Sequence, residues 1–92
     1  MLTARARVYF KTREEGGHSR AFSGIQPSME IDGELVACKI LKGDVGSDIE
    51  LGRSHDVTIE LGYGEMFADR LKQGLEFRLM IASWEIGHGE IL

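Results

Sequence analysis

The chain has 92 residues, with 11 Lys and Arg against 15 Asp and Glu, for a net charge of -4. That length holds one core and no second, so residues 1–92 are expected to form a single domain. The acid surplus argues against nucleic acid as the main partner, because phosphate neutralisation draws on a surplus of Lys and Arg.

Taken in chain order, the first segment alternates Ala4, Ala6, Val8 and Phe10 with Arg5, Arg7, Tyr9 and Lys11. This is the two-residue period of a strand with one wet face. Three cations inside the pattern leave neither a signal-peptide core nor a membrane span there, so a cytoplasmic location is expected. The stretch REEGGHSRAF (Arg13 to Phe22) reads as a turn: acids end the first strand, Gly16 and Gly17 let the backbone bend, and Phe22 begins the return to the core. Met29 and Ile31 then alternate with Glu30 and Asp32, and Asp32-Gly33 supplies a turn or bulge before the apolar run LVACKIL. Cys38 lies in that run as a small hydrophobe; as the lone cysteine it excludes an intrachain disulfide and a cysteine-based zinc cluster. Val57, Ile59 and Leu61 form a further alternating strand. Glu65 to Lys72 (EMFADRLK) is the one helical candidate, with Met66, Phe67, Arg70 and Leu71 at three-to-four spacing and Gly74 as its stop. Leu75, Phe77, Leu79 and Ile81 alternate again, and Ile86 to Leu92 closes the pattern. Short strands punctuated by glycine predict an all-β fold, either a closed barrel or a small sandwich.

Several segments together resemble the third, C-terminal domain of elongation factor Tu. The family loop KxEGGRHTPFFxGYRPQF is similar to TREEGGHSRAFSGIQPSM, with Gly16, Gly17, His18, Phe22, Gly24 and Pro27 on family positions once one arginine before His18 is deleted. LGRSHDVTIEL (Leu51 to Leu61) resembles the family's turn and strand of the form VxVxL. GLEFRLMIASWEIGHGEIL resembles the family ending GLRFAIREGGRTVGAGVV, with Gly74, Leu75, Phe77, Gly87 and Gly89 in step. The likeness spans nearly the whole chain, apart from an insertion around Tyr63 to Gln73. It implies a six-stranded antiparallel Greek-key barrel with one short helix near residues 65–72. In the family this domain works inside a GTPase and helps to grip aminoacyl-tRNA. Here the arginine before His18 is missing, and the family's basic REGGR hairpin is Met80-Ile81-Ala82-Ser83-Trp84. Neither GTPase activity nor tRNA binding is therefore expected.

No residue set predicts catalysis. His18-Ser19 lacks the geometry of a nucleophile and its base, because neighbours in a strand face opposite ways, and no GxSxG elbow is present. His18, His55 and His88 lack metal-ligand spacing, and Asp44, Asp48 and Glu50 in KGDVGSDIE do not follow a calcium-loop pattern. No cofactor and no metal is expected. The functional expectation is a non-enzymatic barrel module that binds an unidentified protein partner or a second copy of itself. Its contact candidates are Met80, Ile81 and Trp84, since an aromatic with aliphatic neighbours is the usual composition of an interaction hot spot. Trp84 folding down onto its own barrel, under the insertion helix, is the plainer reading of that residue. The alternative function is an accessory translation or RNA-binding factor using Arg5, Arg7, Lys11 and His18.

Overall fold

The computed structural model describes residues 1–92, and its chain winds into eight strands. These are β1 (Leu2–Phe10), β2 (Ala21–Phe22), β3 (Ser28–Ile31), β4 (Glu34–Leu41), β5 (Asp48–Ile49), β6 (Ser54–Leu61), β7 (Glu76–Ile81) and β8 (Trp84–Ile91). Six of them close an antiparallel barrel in the order β1-β6-β4-β3-β7-β8, and β2 and β5 pair as a separate two-stranded sheet. β3, β4 and β6 are successive barrel strands, with β1 returning beside β6, which is Greek-key connectivity.

The alternation seen in the sequence decides which side chains enter the barrel. Ala6, Val8 and Phe10 of β1 are buried while Arg5 and Arg7 are exposed. Val57, Ile59 and Leu61 of β6, Phe77 and Leu79 of β7, Met29 and Ile31 of β3, Val36, Cys38 and Ile40 of β4, and Ile86 and Ile91 of β8 join them in the interior. Closure matters for stability because β1 bonds to β6 on one side and β8 on the other, leaving no barrel strand with an open edge. The seam between β1 and β8 needs glycine. A Cβ on Gly87 would lie 2.4 Å from the Tyr9 carbonyl oxygen, and one on Gly89 would lie 2.6 Å from that of Arg7.

The register also defines two barrel ends. At one, the hairpin Ile81–Trp84 joins β7 to β8 close to the end of β1 and the loops that carry β2 and β5. At the other lie the start of β1, the Asp32-Gly33 turn and the segment 62–75. That segment departs from expectation. In place of a helix over Glu65–Lys72 it forms a 3-10 helix over Gly64–Phe67, followed by turns. Two α-turns offer too few hydrogen bonds to offset the cost of nucleation, so packing sets the winding. Phe67 is buried and Leu71 packs against the core, while Arg70 lies over the Phe67 ring at 4.5 Å and reaches Glu34 at 3.1 Å. No helix in the structure is long and apolar enough to cross a membrane.

Candidate functional site

The β7–β8 hairpin gathers most of the sequence candidates at one barrel end. Ile31-Asp32-Gly33-Glu34, the tight turn at the other end, has Asp and Gly at its positive-φ tip positions (φ 51° and 85°), as hairpin turns favour. The β7–β8 tip is Ala82-Ser83, and Ala82 takes φ 53° without glycine's freedom. Ile81 and Trp84 face each other across this tip and are 36% and 45% exposed.

Met80 does not share that surface. It is 7% exposed: the alternation of β7 breaks at Leu79 and Met80, which are both buried, beside a register shift against β8. The hairpin projects beyond the barrel only from Ile81 onward, so Met80 is withdrawn from the contact candidates. A register shift between Leu79 and Met80, which leaves buried Ile86 unpaired on β8, resets the strand just before the tip.

Trp84 is held by the loop that follows β1. Its indole N–H donates to the carbonyl of Gly16, and its ring lies 5.5 Å from that of His18 at 42°. The tryptophan leans on the Gly16-Gly17-His18 loop, at the end opposite the 3-10 helix, and is not folded down under that segment: it stays 45% exposed. Adjacent glycines serve this loop differently. Gly16 takes φ 90° with open space around it, whereas a Cβ on Gly17 would sit 2.2 Å from the Lys11 carbonyl oxygen. Thr12 fastens the loop: its carbonyl accepts from the Gly17 N–H at 2.8 Å, and the Glu15 carboxylate accepts from the Thr12 N–H and the Tyr9 hydroxyl. The Thr12 N–H and then the Tyr9 hydroxyl hold the Glu15 carboxyl below its ordinary range.

The base of the hairpin is locked by a chain of charges. Lys11 Nζ lies 2.8 Å from Glu85, Arg78 reaches the same carboxylate at 3.3 Å, and the Arg78 guanidinium also pairs with Glu30. Lys11, and after it Arg78, keeps the Glu85 carboxyl below its usual range. The basic stripe of β1 is therefore largely neutralised. Arg7 donates two hydrogen bonds to Asp56, Lys11 serves Glu85, and only Arg5, bonded to the Thr58 hydroxyl at 2.9 Å, has no carboxylate partner.

The other constellations are dispersed. His18 and Ser19 lie in the loop and not in a strand, which removes the opposite-face argument, and they make no hydrogen bond to each other; His18 Nδ1 instead lies 3.1 Å from the Arg20 carbonyl oxygen. His55 sits between the Glu50 carbonyl (2.8 Å) and Lys42 (2.6 Å), and His88 stacks on Tyr9. No group of three or more His, Cys, Asp or Glu side chains is placed to hold a metal ion. Cys38 is buried, and burial pushes its thiol up to about 12. Ser23 was invisible in the sequence as a structural residue. It is fully buried, its hydroxyl accepts from the Lys42 N–H at 2.9 Å, and its backbone exchanges bonds with Gly46 and Ser47. It ties the loop after β4 to β2, and only long-range pairing could reveal it. No family model and no curated protein matches this chain.

Proposed function

We propose that this barrel is a non-catalytic docking module of the kind that forms the third domain of elongation factor Tu, and that it engages a protein partner, or a second copy of itself, through the β7–β8 hairpin. One observation carries the reading: Trp84 is braced yet still 45% exposed. Its N–H is satisfied within the chain and its ring is backed by His18, so binding would not have to order it. Preorganised aromatics with aliphatic neighbours are what interaction hot spots are made of, because little side-chain entropy remains to be lost. Ile81 completes the patch.

The RNA-binding alternative has weaker support. Arg7 and Lys11 are engaged by Asp56 and Glu85, and His18 by the loop and Trp84, which leaves Arg5 as the one uncommitted cation of the set. Affinity purification with wild type and a Trp84→Ala, Ile81→Ser variant, alongside sedimentation to score self-association, tests the proposal. A partner or dimer lost in the variant, with its circular dichroism unchanged, is the expected result. Equal recovery from both proteins, or salt-sensitive tRNA binding at low ionic strength, would reject it.

A further inference from the structure

A second surface lies away from the hairpin tip. The outer face of β1, β8 and β7 bears an open groove of about 680 Å³ that no other part of the chain covers. Cross-strand register arranges its side chains in two adjacent rows. One runs Asp56, Arg7, Glu90, Glu76; the other runs Ser54, Tyr9, His88, Arg78, Glu30.

Both arginines in these rows are paired with carboxylates, whereas Glu90 and Glu76, which end the first row, are unpaired. Arg7 is taken by Asp56, and Arg78 by Glu30 and Glu85. Glu76 and Glu90 are direct antiparallel partners, and neither enters an ion pair or a side-chain hydrogen bond. Like charges directly opposite destabilise a sheet, so this pair does nothing for folding. In the adjoining row the Tyr9 and His88 rings stack at 5.2 Å with 21° between their planes, and the Tyr9 hydroxyl is pinned to Glu15.

We propose that this groove binds an arginine-bearing extended segment of a partner protein, with the guanidinium laid against the Tyr9–His88 rings and its N–H groups donated to Glu76 and Glu90. A planar guanidinium stacks on aromatic faces and donates bidentately to carboxylates, and the groove presents these two features in adjoining rows. An anion would meet two carboxylates that make no ion pair, and an apolar ligand would bury them without hydrogen-bond partners. The groove is open and crosses several strands, which suits an extended chain better than the enclosed sites that small molecules occupy.

The test uses a blocked Gly-Arg-Gly-Arg-Gly peptide titrated into the isotope-labelled protein at low salt, with amide chemical shifts as the readout. Shifts centred on Tyr9, Phe77 and Gly89, weakening with added salt, are expected. Glu76→Gln with Glu90→Gln should lower the affinity about tenfold or more, the loss of charge-assisted hydrogen bonds, while folding at least as stably as wild type. Trp84→Ala should bind as wild type does, which keeps this surface separate from the hairpin. The proposal is overturned if the double variant binds equally well, if the peptide with Glu in place of Arg shifts the same amides, or if spermidine binds as tightly as the arginine peptide.

Discussion

Replacing Gly16 or Gly17 with alanine changes neighbouring residues of one loop and should have different costs. At Gly16 a new Cβ meets no atom within 4 Å, but φ is 90°. The left-handed conformation costs an L-residue about 1–2 kcal/mol, and the stiffer unfolded chain returns about 0.4–1 kcal/mol, leaving a loss of roughly 0.5–1 kcal/mol. Gly17 does not take a positive φ, yet its Cβ would lie 2.2 Å from the oxygen and 2.7 Å from the carbonyl carbon of Lys11. Backbone atoms cannot swing aside as a side chain can, so overpacking falls near the upper end of its usual range, about 3 kcal/mol, and about 2 kcal/mol remains after the same unfolded-state credit. At about 4–8 °C per kcal/mol for a domain of this size, Gly17→Ala should lower Tm by about 8–16 °C and Gly16→Ala by about 2–8 °C. Urea and thermal unfolding followed by circular dichroism measure both. The sole tryptophan gives a second readout, since displacing the loop moves the Gly16 carbonyl off the indole and shifts Trp84 emission to the red. If Gly17→Ala unfolds no more easily than Gly16→Ala, the close approach of the loop to Lys11 is not what fixes this residue as glycine.

Three further outcomes are expected. Ala82→Gly relieves a positive φ at the hairpin tip; relief of about 1–2 kcal/mol less about 0.4–1 kcal/mol of added unfolded-state entropy should raise Tm slightly, and a lower Tm would refute strain at this position. The carboxyls of Glu15, Asp56 and Glu85 are held low by the Thr12 N–H, the Arg7 guanidinium and the Lys11 ammonium respectively. Depressed folded values mean that their stabilisation is present above the unfolded carboxyl range, roughly 3.9–4.3, and is lost as pH falls through the lower folded values; the urea midpoint should drop between about pH 5 and pH 2, less steeply in Arg7→Ala, and identical acid profiles would argue against the Arg7–Asp56 contribution. The Cys38 thiol, pushed up to about 12 by burial, should stay unreactive towards a thiol reagent at pH 8 until denaturant unfolds the barrel, so rapid labelling of the native protein would contradict its packing.

The parts of the fold legible in the sequence are those set by local rules. Alternation along Ala4 to Lys11 gave the inward face of β1, and Asp32-Gly33 lies at a hairpin tip. Burial of Cys38 followed from its apolar neighbours. What the sequence hid depends on strand register and on partners distant along the chain. Met80 has the composition of a surface anchor, but it is buried next to a register shift between β7 and β8 that interrupts the two-residue alternation. The Gly16 carbonyl became the clamp on Trp84 through a contact across 68 positions, which no spacing rule announces. The segment 62–75 carries helical spacing over Glu65–Lys72, yet its length could not sustain an α-helix against the demand that Phe67 and Leu71 pack on the core.

Two places in this barrel break local rules without an internal compensation that offsets the break. Ala82 holds a left-handed backbone where glycine would be cheaper, and Glu76 faces Glu90 where a lysine on either strand would be favoured. Elsewhere the molecule is consistent: Asp32, the other non-glycine residue at positive φ, is of a type that tolerates it, and Arg7, Arg20, Arg70 and Arg78 all meet carboxylates. Local inconsistency in an otherwise consistent fold tends to mark positions kept for something other than stability. The two exceptions fall on the two surfaces that the geometry leaves unoccupied, the braced tryptophan hairpin and the acidic, aromatic groove. They differ in chemistry, one apolar and one anionic, so a single partner using both would need an apolar pocket and a basic strand, while separate partners would each be blind to mutation of the other's surface. Crossing Trp84→Ala with Glu76→Gln and Glu90→Gln therefore decides between these arrangements: additive losses on separate ligands indicate two partners, and coupled losses on one ligand indicate a single bipartite one.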